Sequence, residues 1–186
     1  MNRTSFQAQN IAMFTFHHGF WLYFVSRGHY QVWQFVLGSM LPDYVYFIML
    51  GIMVGEGRIG LSEIPNLDPL RFGGLVVMYP WVVISDLVLH SVVWWAVAFV
   101  AVLLPMLRTY QAFVTGWGTH LLVDTFTHGA EANYYLYPLS SDRVHGFVSY
   151  WEPAYFAREY NIVHTALLVW AISYLLVRWL RKKLLR

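Results

Sequence analysis

The chain is 186 residues long, 58% hydrophobic, 19% aromatic and only 12% charged, with a mean hydropathy of +0.47. A soluble domain carries about twice that share of charge, so the composition argues for apolar helices in a membrane rather than a water-soluble fold. A net charge of +2 is too small to point to nucleic acid, and the absence of cysteine excludes disulfides and thiolate metal sites. No short basic start, apolar core and small-residue cleavage site mark a cleavable signal.

Spanning hydrocarbon takes about 20 helical residues, and five helical segments are predicted. The first runs from about residue 5 to 26, polar at its start and aromatic after Phe14. Arg27-Gly28-His29-Tyr30 makes a turn, and a second segment covers about 31–54. Residues 56–74 read as a loop with Gly, Pro, Asn and Asp and no strand alternation. A long apolar run begins at Leu75, is interrupted at Pro80, and has its spanning part near 81–104. Pro105 to Tyr110 is a tight turn, followed by a short segment to about Thr127. Residues 128–159 form an aromatic, polar excursion lying on the interface. The last segment, 160–180, is apolar and runs into Arg178, Arg181, Lys182, Lys183 and Arg186.

The predicted fold is all-α: one integral membrane domain over 1–186, a polytopic bundle of about five helices with an interfacial loop region. The tendency of Lys and Arg to stay cytoplasmic places the C-terminal tail and the turns at Arg27 and Arg108 inside. The 56–74 and 128–159 loops then face outward.

Chemistry concentrates in the polar residues of these apolar segments, because ionisable groups in a membrane are costly and usually serve a function. His120, Asp124 and His128 recur at i, i+4, i+8 and share one helix face. Imidazole plus carboxylate suits a divalent cation of the zinc type. Asp86 and His90 repeat the i, i+4 pairing. Counted from the turn near Leu107, His90 lies about level with Asp124, and Asp86 with His128. Counted from Gly28, His17, His18 and Asp43 fall within about 6 Å along the axis. Adjacent residues point about 100° apart, so one of His17 and His18 faces the site. Pro42 frees a carbonyl or starts a new helix just where Asp43 is needed.

Structural roles compete with this reading. Asp86 with His90 also suits a hydrogen-bonded pair, and His164 and His29 suit helix–helix hydrogen bonding. The Trp94-Trp95 pair and the many Tyr and Phe suit core and interface anchoring. Glu131, Asp142 and Glu152 read as solvated loop charges, and Arg143 as a loop charge or a phosphate contact.

The order His17/His18, Gly-Ser-Met-Leu-Pro-Asp43, His90-Ser91, Thr119-His120-Leu-Leu-Val-Asp124 and Tyr137-Pro138-Leu139-Ser140 resembles the YdjM-like family of predicted bacterial inner-membrane, metal-dependent hydrolases. The resemblance covers about residues 15–145. More distantly, the ligand order is similar to the zinc-dependent phospholipase C and single-strand nuclease group. That likeness implies metal ligation by Asp43, His90, His120 and Asp124, with His17 or His18 and His128 as further candidates. The chain departs from the pattern at Ser85-Asp86 and Leu89. It also lacks the closing His-x-x-x-Glu pair, since His145 and Glu152 are too widely spaced, which implies one or two metals rather than three.

The expectation is a membrane-embedded hydrolase using a divalent metal, zinc first and manganese or iron as substitutes. Its metal ligands would be His17 or His18, Asp43, His90, His120 and Asp124, with Asp86 or His128 as general base or acid. The expected partners are membrane lipids and a lipid-linked or small ester or phosphoester substrate, with the site toward the periplasmic side of the bacterial inner membrane. A small transporter or proton/metal conductor uses the same residues in a different way, but no inverted repeat supports it. A di-iron hydroxylase would want many more histidines, and a pure scaffold leaves the aligned carboxylates without a reason.

Overall fold

The computed structural model describes residues 11–67, 69–129 and 134–185, which are mainly helical with no strand among them. Helix α1 (Ile11–Ser26) is followed by α2 (Val32–Met40), a 3₁₀ turn at Leu41–Asp43, and α3 (Tyr44–Gly55). Beyond a second 3₁₀ turn, Leu61–Asn66, come α4 (Pro69–Val77), α5 (Pro80–Leu89) and α6 (Val92–Ala101). A third 3₁₀ turn, Pro105–Tyr110, leads into α7 (Gln111–Thr127), and α8 (Ala157–Leu184) closes the chain.

The predicted turns at 27–30 and 105–110 are where expected. Pro42 works as anticipated: it sits early in the 3₁₀ turn between α2 and α3, which together form a 24-residue apolar rod. Two expectations need correcting. The single helix over 81–104 is instead α5 and α6, broken at His90-Ser91. Ser91 is extended and caps α6, its hydroxyl oxygen accepting from Val93 N and Trp94 N, while Val92 N donates 2.8 Å to Tyr135 O. The 56–74 loop is also more ordered than read. Glu63 caps a turn there through Gly60 N at 2.8 Å and Arg71 at 2.7 Å, and those bonds, the Gly60 N–H first, hold its carboxyl below the usual carboxylate range.

Val32–Gly55 and α8 are long and apolar enough to cross a membrane. Helices α4 and α5 qualify only jointly, bent by 102°. The start of the first predicted segment, residues 5–10, lies outside the described residues. Helix α8 starts three residues before the last predicted segment and runs beyond it.

The tightest packing is between α2 and α7. A Cβ at Gly38 would stand 1.9 Å from Phe113 O, and one at Gly116 would stand 2.3 Å from Phe35 O. Only glycine lets the two backbones approach this closely. On the α3 side, Val45, Met49, Leu50 and Met53 pack with Ile59, Leu67, Phe72 and Val82 into an apolar core. Helix α8 stands apart, with Ala157 and Ala171 its buried residues. It leans on α1 through Trp21 Nε1 donating 3.0 Å to His164 Nε2 and through Phe24 against Trp170 and Tyr174.

Candidate metal centre

The close approach of α2 and α7 turns His120 toward the 3₁₀ turn that carries Asp43. Its Nδ1 lies 2.7 Å from Ser39 O, so Nδ1–H donates to that carbonyl and leaves the Nε2 lone pair facing the cluster. There Nε2 is 3.0 Å from Asp124 Oδ2 and 3.9 Å from Asp43 Oδ1. The break at His90-Ser91 brings His90 into the same space. Its Nε2 is 3.8 Å from Asp43 Oδ1 and 3.7 Å from Asp124 Oδ2, so the level-matching of His90 with Asp124 survives although the helix between them does not.

From α1, His18 Nε2 reaches to 3.3 Å from Asp124 Oδ1, and its ring stacks on His120 at 4.1 Å. Two overlapping triads result: His18, His120 and Asp124, and Asp43, His90 and His120. Within each, one donor atom per residue lies inside 4.8 Å of the others. His120 belongs to both.

Position separates His17 from His18. His18 faces the cluster, whereas His17 turns toward α8, its ring 4.6 Å from His164. His164, itself taking a hydrogen bond from Trp21, has the helix–helix role anticipated for it. His29 does not: its Nδ1 accepts from Gln31 N, two residues on within the α1–α2 turn. Trp95 packs on Gly118 and donates to Val114 O at 2.9 Å, an anchoring role.

Asp86 lies behind His90, its Oδ1 2.8 Å from His90 Nδ1. His128 stands at the end of α7, with Nδ1 3.1 Å from Asp124 O and 3.9 Å from Asp124 Oδ1. The returning loop lays Tyr150 and Trp151 edge-on against its ring, pinned by Gly146 N to His128 O at 2.6 Å and Val148 N to Phe126 O at 3.2 Å. Of the loop charges, Asp142 is exposed beside Ser140, and Arg143 donates to Tyr134 Oη at 3.0 Å. Glu152 is half-buried against Gly129 rather than solvated, because the loop folds back over the α7 terminus. Glu131 lies outside the described residues.

Two contacts were not anticipated. Thr15 Oγ1 donates 2.6 Å to Asp43 Oδ2, and Tyr46 Oη donates to Asp86 Oδ1. Helical spacing carried the signal for both, since Thr15 is three residues before His18 and Tyr46 three after Asp43.

The donors fit a zinc-type ion. Nitrogen and carboxylate oxygen are its usual protein ligands when thiolate is absent. His120 is 1% exposed and Asp124 2%, yet among the described residues neither His120 Nε2 nor Asp124 Oδ1 makes a hydrogen bond, although His18 Nε2 stands 3.3 Å from the latter. Such orphaned buried atoms are costly, and they belong to both carboxylate and imidazole at the centre of the cluster. A cation between the triads would satisfy them.

Beside His18 opens a cleft of about 190 Å³ between α1, α7 and α8, lined by His17, Trp21, Val123, Tyr150, Tyr160 and His164 among others.

A family model described as zinc dependent phospholipase C matches residues 33–183. No curated protein and no solved structure matches the chain.

Proposed function

The chain belongs to the zinc-dependent phospholipase C family, and from that premise we propose that it is a membrane-embedded phosphoesterase acting on lipid-linked substrates. The single observation that carries the reading is the pair of largely buried triads sharing His120, with unsatisfied donor atoms at their junction. Asp43, His90, His120, Asp124 and His18 would hold one or two divalent ions, zinc first.

A bound divalent metal would supply a coordinated water of near-neutral pKa and polarise the phosphoryl oxygen. The protein's own residues do the rest. His120 and Asp124, at the junction of the triads, fix where the phosphoryl group sits. Thr15 holds the far oxygen of Asp43, leaving Oδ1 turned to His90 and His120. His128, half-buried under Tyr150 and Trp151, is placed to pass a proton to the leaving-group oxygen. Asp86 is turned away from the junction and serves His90 instead.

Lipid access is supported by the cleft at His18. One of its walls is α8, whose other faces are apolar and exposed, so an amphiphile in the bilayer can reach the cluster sideways. The basic residues Arg27, Arg108, Arg178, Arg181, Lys182 and Lys183 sit at the tail and at the turns on the cytoplasmic side of the proposed topology. In that orientation the C-terminus is cytoplasmic and the 134–156 loop periplasmic in a bacterial inner membrane. A cation path is less well supported, since the apolar Met49, Met53 and Val82 fill the α3–α5 side beyond the cluster.

The test is metal content by mass spectrometry on detergent-purified protein, with hydrolysis of bis(p-nitrophenyl) phosphate and of phospholipid in mixed micelles measured alongside. Near-stoichiometric zinc, lost with turnover in Asp124→Ala, supports the reading. No metal in wild type would sink it.

A further inference from the structure

Of the two histidines in the Asp43–His90–His120 triad, His120 anchors its ring on a backbone carbonyl, whereas His90 Nδ1 lies nearest a side-chain oxygen, Asp86 Oδ1 at 2.8 Å with Asp86 O farther off at 3.2 Å, and that carboxylate is itself held by another side chain. We propose that Tyr46 is a positioning residue for the metal centre, acting through Asp86 on His90. The proposal rests on the zinc reading and assigns a role to residues outside the ligand set.

The chain of contacts is continuous. Tyr46 Oη donates to Asp86 Oδ1, the same oxygen that lies 2.8 Å from His90 Nδ1. With Nδ1–H directed at the carboxylate, His90 presents the Nε2 lone pair toward Asp43 and Asp124. Such carboxylate partners fix tautomer and ring orientation and strengthen the imidazole as a donor. Asp86 needs its own support, because it lies one turn along α5 from Val82 of the apolar core, where an unmet charge is costly. The Tyr46 hydroxyl supplies a donor from the core side. Its ring is held edge-on by Phe72 at 5.2 Å, so the hydroxyl position is set by packing. Tyr46 also lies one turn after Asp43, at the start of α3. One helical turn therefore fixes a ligand directly and its neighbour's orientation indirectly. Asp86, expected from the sequence to act as acid or base, is better placed for this work.

The experiment measures zinc affinity by chelator competition and the ligand-field spectrum of the cobalt-substituted protein, for wild type, Tyr46→Phe, Asp86→Asn and the double variant. Apoprotein unfolding is followed in parallel. Tyr46→Phe removes one hydroxyl and should weaken zinc about tenfold or more, in the roughly 10–100-fold range of outer-shell partners. It should also shift the cobalt spectrum at saturating metal, which a merely packing role would not do. Asp86→Asn should cost at least as much, and the double variant should match Asp86→Asn, since Tyr46 acts only through that carboxylate. Should Tyr46→Phe fail to fold, Phe72→Leu takes its place: it loosens the Tyr46 ring, keeps the hydroxyl, and should still shift the cobalt spectrum. Unchanged affinity and spectrum in the variant used, or losses that multiply in the double variant, would overturn the proposal while leaving the zinc site standing. A wild type without metal would overturn both.

Discussion

Around the candidate metal centre, helices meet backbone to backbone, ionisable groups turn inward, and two glycines on α2 and α7 set the spacing. Along α8, by contrast, Ile162, Leu167, Val169, Trp170 and Ile172 are exposed, and the helix is held by a few aromatic contacts to α1. Both regions are apolar in sequence. The first keeps ionisable groups together in fixed geometry. The second keeps an apolar surface long enough to cross a bilayer, which on the proposed membrane reading faces lipid. Apolar composition alone therefore does not tell which helix packs deeply into the protein and which stays at its surface; the small and polar residues do.

The comparison breaks most sharply at His120, the residue shared by both triads. His120→Ala should lower zinc affinity by more than the roughly 100-fold upper range of an outer-shell loss, read by chelator competition. His17→Ala, one residue from a ligand but turned to α8, should leave zinc stoichiometry unchanged. Equal losses in the two would dissolve the distinction between the cluster and the α8 side.

Gly116→Leu attacks the spacing itself. Its Cβ would meet Phe35 O at 2.3 Å, and backbone cannot yield as a flexible side chain can. Overpacking costs about 1–3 kcal/mol where side chains can adjust, so stability to thermal unfolding in detergent should fall by at least that much. On α8, Ile172→Asp should leave zinc binding intact but reduce the carbonate-resistant membrane fraction, since a carboxylate at a helix centre costs about 2.5–3.5 kcal/mol on insertion. Unchanged retention would show that protein or water, not lipid, covers that face.

Much of the candidate cluster was legible because packing alone gives apolar helices no use for His and Asp at i, i+4 spacing. His120, Asp124, His90 and Asp43 come together as their positions along the chain suggest. The break at His90-Ser91 was hidden, since Ser91 looks like any small residue inside the apolar run until its hydroxyl is seen capping α6. The preference for His18 over His17 was hidden too, because helical rotation tells that neighbours diverge but not which one faces α7. Thr15 and Tyr46 were overlooked for a different reason. Hydroxyls near a site draw no attention by residue type, yet each lies one turn from a ligand on the same helical face. The partial burial of Glu152 depends on how the loop folds back over α7, which local pattern does not encode.

The smallest of these effects sharpens the contrast most finely, because it changes no ligand and no backbone. Thr15 is buried and donates its one hydroxyl proton to Asp43 Oδ2 at 2.6 Å. Thr15→Val keeps the shape and removes the donor, leaving one oxygen of a carboxylate without its partner. A hydrogen bond to a charged group contributes about 1.5–3 kcal/mol, but a carboxylate freed from Thr15 can still turn both oxygens to a cation, which returns part of that loss. Zinc affinity should therefore fall by about tenfold, each 1.4 kcal/mol being a factor of ten, with apoprotein unfolding little changed. If instead stability drops and zinc affinity holds, Thr15 belongs to the packing of α1 on the 3₁₀ turn and Asp43 needs no help in facing the centre.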